Sequence, residues 1–211
     1  MEFSTFKNVQ NFPIMKNTFS FVALISVLAI SVLAFTGAIE SLKVDTKSSY
    51  IDWKGYKVTG KHYGKVMLKN GDLKFENGKL VGGSFEIDMS TIICEDLQGA
   101  TADKLVGHLK SDDFFGVAKY PTAKFVITRA SEGNAGEYRI RGDLTIKSTT
   151  KSISFNTTVN EKDGKRIAKA DIKIDRSDFD VRYGSGSFFD NLGDKTIYDE
   201  FDLSVNLVVA K

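Results

Sequence analysis

Cysteine occurs only once in the 211-residue chain, at Cys94. A single thiol excludes an intramolecular disulfide, and a chain of this length is long enough to be held together by its own core. Apolar residues precede Cys94, and the two residues that follow it, Glu95 and Asp96, are of the type that raises the pKa of a thiol. We therefore interpret Cys94 as a partly buried, small apolar side chain and not as a nucleophile.

Histidine is almost as scarce, with only His62 and His108. Two histidines and one cysteine at this irregular spacing are too few for a recognisable zinc site. The chain also lacks a G-x-S-x-G nucleophile motif, a P-loop and a dinucleotide-binding fingerprint in a fitting strand and helix context. The adjacent carboxylates Asp112 and Asp113 suit the start of a helix. These absences predict a protein that is not an enzyme and that needs no metal and no cofactor.

Neither sign of charge dominates, since 29 basic residues face 27 acidic ones, a formal net charge of +2. The chain has no basic block. A nearly neutral chain of this kind gives no electrostatic reason to expect a nucleic acid or an anionic membrane surface as partner.

One long apolar run is present, over residues 19–35, and it follows the charged start Met15-Lys16. The small residues Thr36-Gly37-Ala38 come next, so residues 1–38 are predicted to be a signal peptide cleaved after Ala38, with residues 1–14 as an upstream extension of the reading frame. The alternative is an N-terminal membrane anchor, although 17 apolar residues are short for a span of about 20. Both readings predict export, to the periplasm or beyond, of a domain formed by residues 39–211.

Within that domain, apolar and polar residues alternate with a period of two along many stretches, which is typical of strands with one buried face. One such set is Tyr138, Ile140, Gly142, Leu144 and Ile146, and a second is Val81, Gly83, Phe85, Ile87 and Met89. Tight-turn signals separate the strands at Asn70-Gly71, Asn77-Gly78, Glu132-Gly133-Asn134 and Asp163-Gly164. No run of 10 to 15 helical residues is expected between consecutive strands, so the pattern favours about eight antiparallel strands over a parallel sheet.

Glycines inside the predicted strands favour a barrel over a two-sheet sandwich, because they permit sharp coiling of the wall. They are Gly55, Gly60, Gly64, Gly82, Gly83 and Gly142. Small and large residues also alternate on the apolar faces, which leaves space in the interior. An eight-stranded barrel holds either packed side chains or one small ligand, and the residues alone leave both open.

The segment 107–125 is the one place where helix and strand signals meet. Ser111 is a good N-cap, and Asp112 and Asp113 follow it, which predicts a very short helix that ends at Gly116. Because the residue before a proline favours extended geometry, Tyr120-Pro121 predicts that residues 122–129 leave as a strand.

This segment resembles the YceI-like polyisoprenoid-binding family over residues 108–125. The resemblance extends over about residues 49–209 through four further motifs, which are Trp53-Lys54-Gly55, Gly142-Asp143-Leu144-Thr145-Ile146-Lys147, Ile174-Asp175-Arg176 and Tyr183-Gly184-Ser185-Gly186. It implies an all-β fold, an extended eight-stranded antiparallel lipocalin-like β-barrel with short helices in the connection between the middle strands. It also implies a long isoprenoid chain in the lumen of that barrel.

The apolar faces supply the candidate lumen contacts, although core packing explains each of them equally well. They are Phe85, Ile87, Phe125, Ile127, Tyr138, Ile140, Leu144, Ile146, Phe155, Leu203 and Val205. Candidates for a mouth and a head-group contact lie outside the regular strands, and they are His108, Phe114, Phe115, Arg176 and Phe179. Arg176 suits a phosphate or quinone oxygen, but an ion pair with Asp175, Asp178 or Asp112 is its alternative use. Trp53 is expected to plug one end of the barrel.

We therefore expect a protein that binds a polyprenyl phosphate or an isoprenoid quinone for transport, storage or sequestration, with the head group near residues 108–121. The alternative is an exported structural or stress-response barrel with a dry core and no lipid. A two-fold homodimer is compatible with the sequence, which carries no feature that demands one.

Overall fold

Antiparallel strands make up most of the chain in a computed structural model that describes residues 37–210. The strands are β1 Ile39–Lys43, β2 Tyr50–Lys57, β3 Gly60–Glu76, β4 Lys79–Cys94, β5 Thr122–Glu132, β6 Glu137–Ile146, β7 Thr149–Lys162, β8 Lys165–Asp175 and β9 Ile197–Ala210. One α-helix, α1 Gly99–Lys110, connects β4 to β5, and the 3-10 turns Arg176–Phe179 and Gly193–Lys195 lie between β8 and β9. The predicted signal peptide and its anchor alternative lie outside the described residues, apart from residues 37 and 38.

Strands β2 to β9 form a closed eight-stranded antiparallel barrel, as predicted. The order β3-β2-β9-β8-β7-β6-β5-β4 is closed by pairing of β3 with β4. The 17-residue strand β3 is long enough to pair with β2 along its first half and with β1 along its second half. The first and last strands of the barrel are neighbours, since β2 pairs with β9 from Tyr50↔Asn206 to Lys57↔Ile197.

Three of the four predicted turns join neighbouring strands. Asn77 and Gly78 both have positive φ, 51° and 80°, as a two-residue hairpin between β3 and β4 requires. The prediction of a turn at Asn70-Gly71 was wrong, because these residues lie inside β3, next to a register shift against β4. Gly71 is needed there for space, since a Cβ atom would lie 2.7 Å from the ring of Phe85.

The helix between β4 and β5 comes earlier than predicted. Ser111 does not begin a helix but follows the end of α1, where its backbone N–H and its hydroxyl both donate to the carbonyl of His108, at 3.1 and 2.8 Å. The start of α1 carries no recognisable signal, because the preceding Gln98 makes no side-chain cap and the first turn has no acidic residue. The expectation that no helix of 10 to 15 residues separates two strands was therefore also wrong. The predicted strand after Pro121 is confirmed as β5.

Most of the predicted alternation is confirmed, but its phase is wrong at the start of β4. Leu80 is buried and Val81 is 38% exposed, the reverse of the prediction. The register against β3 shifts between Lys74 and Phe75, so Val81 is an extra residue that turns outward. Beyond this bulge, Phe85, Ile87 and Met89 face the interior as expected.

Buried side chains close both ends of the barrel. At the end that carries the β3–β4 hairpin, Phe75 and Val209 are at most 1% exposed. At the opposite end, where α1 and the β8–β9 connection lie, Phe179 and Val181 are equally buried, and Phe114 is 7% exposed. No helix in residues 37–210 is long and apolar enough to cross a membrane.

Candidate binding cavity

The barrel encloses a cavity of about 210 Å³. All eight barrel strands contribute to its lining, together with Leu109 of α1 and the pair Phe114 and Phe115. A void of this size is far larger than the gaps in a packed core, and cavities lined by apolar side chains stay dry and take up apolar molecules. Along β9 the lining runs from Ile197 to Leu207, about 33 Å of strand at about 3.3 Å per residue. This length suits an extended chain.

Ten of the eleven predicted lumen residues line the cavity. They are Phe85, Ile87, Phe125, Ile127, Ile140, Leu144, Ile146, Phe155, Leu203 and Val205. Tyr138 does not, because it lies at the hairpin end and its hydroxyl accepts a hydrogen bond from the N–H of Leu80, at 3.3 Å. Whether any of them contacts a ligand stays a prediction.

Three phenylalanines form an aromatic strip on one side of the cavity. The rings of Phe85 and Phe125 are stacked with centroids 6.5 Å apart, and Phe155 follows at 5.5 Å from Phe125. Gly142 makes room for the strip, since a Cβ atom at that position would lie 2.4 Å from the ring of Phe125. This packing explains why one of the predicted strand glycines, Gly142, has no side chain.

Several polar side chains in the lining are hydrogen-bonded to the protein. The hydroxyl of Tyr56 donates to Asp202 at 2.6 Å, and this hydrogen bond raises the pKa of Tyr56. Trp53 donates from Nε1 to the carbonyl of Ile93 at 3.1 Å, and it lines the cavity near one end. These groups therefore offer a ligand an apolar surface and little else.

Arg176 is the buried charge of the site, with 2% of its surface exposed. Its guanidinium donates to the carbonyls of Tyr198, Val181 and Ile197 at 3.2, 2.7 and 2.9 Å, and it forms an ion pair with Asp199 at 3.1 Å. Burial lowers the pKa of Arg176, against the opposing effect of nearby carboxylates. The guanidinium thus holds the β8–β9 connection against the end of the barrel.

The predicted ion-pair partners of Arg176 were wrong. Asp175 caps the following 3-10 turn by accepting from the N–H of Ser177 at 2.8 Å, and Asp178 pairs with Lys151 at 3.7 Å. The true partner, Asp199, lies on β9, and its other oxygen accepts from Ser187 at 2.6 Å. Since the guanidinium is bonded mainly to protein oxygens, a structural role explains its position.

The other predicted mouth residues cover the helical end of the barrel. Phe114 and Phe115 line the cavity and pack edge to face at 5.0 Å. His108 lies behind them, with its ring 4.3 Å from that of Tyr183, and it does not line the cavity. Phe179 is also outside the lining and is 1% exposed. The structure therefore brings these residues together as a packed cover.

Several lining residues were not among the sequence candidates. The largest group comes from β8, others come from strands such as β3, and one comes from α1; they include Ala168, Ala170, Ile172, Val66, Leu68 and Leu109. The alternation of β8 was a usable signal, because its small and apolar residues share one face in the sequence. Leu109 could not be found in this way, since α1 was not predicted. No cluster of three or more potential metal ligands occurs within residues 37–210.

The chain resembles known proteins along most of the barrel. A family model described as the YceI-like domain matches residues 42–209. A UPF0312 protein of Shewanella denitrificans is 37% identical over 93 residues, which cover 44% of this chain and 47% of that protein. A UPF0312 protein of Pseudomonas putida strain W619 is 29% identical over 152 residues, 69% of this chain and 74% of that protein. The chain thus spans about half of the first relative and about three quarters of the second.

Two solved structures share the fold at low sequence identity. BcnA of Burkholderia cenocepacia has a TM-score of 0.61 and 21% identity, with 78% of this chain and 98% of BcnA covered. A polyisoprenoid-binding domain from Saccharophagus degradans has a TM-score of 0.58 and 12% identity, with 82% and 99% covered. At these identities the likeness concerns the fold.

Proposed function

Because this chain belongs to the YceI-like domain family, we propose that it binds a long-chain isoprenoid lipid in the lumen of its barrel. The ligand is a polyprenyl phosphate or an isoprenoid quinone, and binding serves its transport, storage or sequestration in the periplasm. No chemical step is part of this function. The signal-like segment that precedes the barrel supports export, and the mass of the mature N-terminus distinguishes cleavage after Ala38 from a retained anchor.

The observation that carries the proposal is the long apolar cavity, in whose lining the polar side chains of Tyr56, Trp53 and Arg176 have protein partners. Such a site stabilises buried hydrocarbon and does not bind polar groups favourably. Burying a methylene group contributes roughly 0.8 kcal/mol, so about ten buried carbons supply about 8 kcal/mol before the costs of ordering are subtracted. That corresponds to affinity near the micromolar range. A further support is the shared fold with a domain described as polyisoprenoid-binding.

Native mass spectrometry of the purified protein, followed by solvent extraction of bound material, tests the proposal. We expect a bound species of several hundred daltons that extracts as a polyprenyl compound. A ligand-free mass, with no uptake of added prenyl phosphates or quinones, would overturn the proposal and leave the dry-cored structural barrel as the explanation.

A pair of matched variants adds a second test. Ala123 is buried on β5 and faces the cavity, whereas Val126 on the same strand is 46% exposed on the outer surface. Ala123→Phe should fill part of the lumen and weaken binding with little loss of stability, and Val126→Phe should leave binding unchanged. If the core is instead fully packed, Ala123→Phe should cost about 1–3 kcal/mol of unfolding free energy through overpacking.

A further inference from the structure

The wall of the barrel is incomplete between β7 and β8. These strands pair only from Lys162↔Lys165 to Thr158↔Lys169, five residue pairs next to their hairpin. On its other edge β7 pairs with β6 from Glu137↔Thr158 to Ile146↔Thr149. Strand β8 likewise pairs with β9 along its whole length. Residues 149–157 of β7 and 170–175 of β8 therefore have no ladder between them, although a closed barrel normally leaves no such edges.

Side-chain contacts bound this opening on two sides, towards the β7–β8 hairpin and towards the helical end of the barrel. At the hairpin side, the hydroxyl of Thr157 donates to the carbonyl of Lys169 at 2.7 Å. At the helical side, Lys151 approaches Asp178 at 3.7 Å, and the amine of Lys147 donates to the carbonyl of Asp180 at 3.0 Å. We call the gap between residues 152–157 and residues 170–175 the side window. Its edges are about 17 Å long at about 3.3 Å per residue.

The edges of the side window are apolar on the inside. Ile153 and Phe155 on β7, and Ala170 and Ile172 on β8, all line the cavity and are only half-buried. The cavity is separated from solvent here by side chains alone, which can change rotamer without breaking any backbone hydrogen bond. The side window is therefore a place where an apolar chain can pass.

Two charged side chains on the β8 edge of the side window are bonded to β9 and point away from the opening. Asp171 accepts a hydrogen bond from Ser204 on β9 at 2.6 Å. Lys173 pairs with Glu200 and Asp202, also on β9, both at 3.3 Å. A lipid tail that crosses the opening does not have to displace these charges.

Buried side chains close the two ends of the barrel. Phe75 and Val209 close the hairpin end, and Phe179 and Val181 close the helical end, all at 1% exposure or less.

A second place where neighbouring strands part is also filled. Strands β4 and β5 separate beyond Gly83↔Ile127. There Leu80 and Tyr138 are buried, and the N–H of Leu80 donates to the hydroxyl of Tyr138. The side window differs from this place because the cavity-lining residues on its two edges are only half-buried.

From this geometry we infer that the isoprenoid tail enters and leaves the lumen sideways, between β7 and β8, and that the head group stays outside the side window. The inference rests on the proposed function and assigns its route. A route of this kind selects a single flexible hydrocarbon chain and tolerates different head groups, because the head group never passes through the wall.

Reversible cross-linking of the two edges tests the route. Ser154 and Lys173 are exposed on opposite edges, so Ser154→Cys with Lys173→Cys, in a Cys94→Ser background, can be joined by a short reducible bismaleimide. Arg141→Cys with Ser154→Cys is the matched control, since Arg141 and Ser154 face each other across the intact β6–β7 ladder. Asn156→Cys with Asp171→Cys provides a second pair across the opening if the first one folds poorly.

The probe is a naphthoquinone with a geranylgeranyl tail, followed through quenching of Trp53, the single tryptophan, which lines the cavity. Cross-linking the side window should slow uptake and release by about ten-fold or more, as expected when an opening motion limits exchange, and reduction of the linker should restore both rates. The control cross-link should leave both rates unchanged. Unchanged rates across a cross-linked side window, with equilibrium quenching intact, would overturn the route alone. Absence of quenching in the protein without a cross-link would overturn the proposed function, and the route with it.

Discussion

The hydroxyl of Thr157 donates a hydrogen bond to the carbonyl oxygen of Lys169 at the last point where β7 and β8 are joined, over a distance of 2.7 Å. The hydrogen bond marks the boundary between the paired half of these strands and the half that is apart. One side chain thus ends the ladder, and it belongs to a residue that also lines the cavity.

Replacing the hydroxyl of Thr157 should weaken the contact between β7 and β8. Thr157→Val keeps the shape of the side chain but leaves the carbonyl of Lys169 without its donor, so we expect a loss of about 1 kcal/mol in the free energy of unfolding, measured with urea. Thr158→Val is the control, because Thr158 is exposed on the outer face. Equal stability of the two variants would contradict this role for the hydroxyl.

Removing the buried charge of Arg176 should cost more. Arg176→Met leaves Asp199, with its side chain 14% exposed, without its cation and leaves three carbonyls without their donor. Breaking a buried pair from one side typically costs about 3–5 kcal/mol. Adding Asp199→Asn should recover part of the loss because it removes the unpaired charge. Urea denaturation of both variants measures the difference, and a double variant no more stable than the single one would show that the pair is not the stabilising element.

Two glycines in neighbouring strands should respond oppositely to the same change. A Cβ atom on Gly64 would lie 1.9 Å from the carbonyl oxygen of Ile93, the same oxygen that accepts from Trp53, whereas one on Gly55 would meet nothing within 4 Å. Gly64→Ala should therefore separate β3 from β4, cost about 1–3 kcal/mol or more, and shift the fluorescence of Trp53. Gly55→Ala should change stability by no more than about 0.5 kcal/mol. A tolerated Gly64→Ala would mean that the two strands are not in close contact in solution.

Asp96 should make the free energy of unfolding depend on pH in the acidic range. Burial acts to raise the pKa of Asp96, but hydrogen bonds from the N–H of Tyr63, from His62 and from Cys94 together hold it below its ordinary value of 3.8. A lowered pKa in the folded state contributes stability that is complete above pH 3.8 and is lost as the pH falls through the lowered pKa.

Asp96→Asn removes this titration. Urea midpoints measured between neutral and acidic pH should fall less steeply below pH 3.8 for the variant than for the natural protein. His62→Gln keeps a hydrogen-bond donor near the carboxylate and should retain most of the slope. Parallel profiles for Asp96→Asn and the natural protein would show that other carboxylates cause the acid sensitivity.

The barrel could be predicted from local patterns because its strands have one buried face. Ile140, Leu144 and Ile146 lie on one face of β6 without interruption, and β6 pairs with β7 without a bulge. Cys94 also behaves as expected, since burial and a hydrogen bond to Asp96 raise the pKa of its thiol.

Features that depend on distant partners could not be predicted in this way. Val81 turns outward because the register against β3 shifts, and β3 is a different strand. Arg176 finds Asp199 on β9 and not a neighbouring aspartate, because the β8–β9 connection folds back over the barrel end. The separation of β7 from β8 has no local signal either, since both strands alternate normally along the stretch where they part. Helix α1 was not predicted because a local signal is missing: the residue before it, Gln98, makes no side-chain cap.

The pairing of β2 with β9 has a consequence for biosynthesis. Ile51 faces Val205 and Val44 bridges to Val209, so strands from the beginning and the end of the domain must meet before the barrel is complete. Contacts so far apart in the chain form slowly, and β9 is synthesised after all the other strands of the barrel. Until β9 arrives, the apolar lining of the lumen is open to solvent and to other chains, and the nascent protein is at its most vulnerable to aggregation.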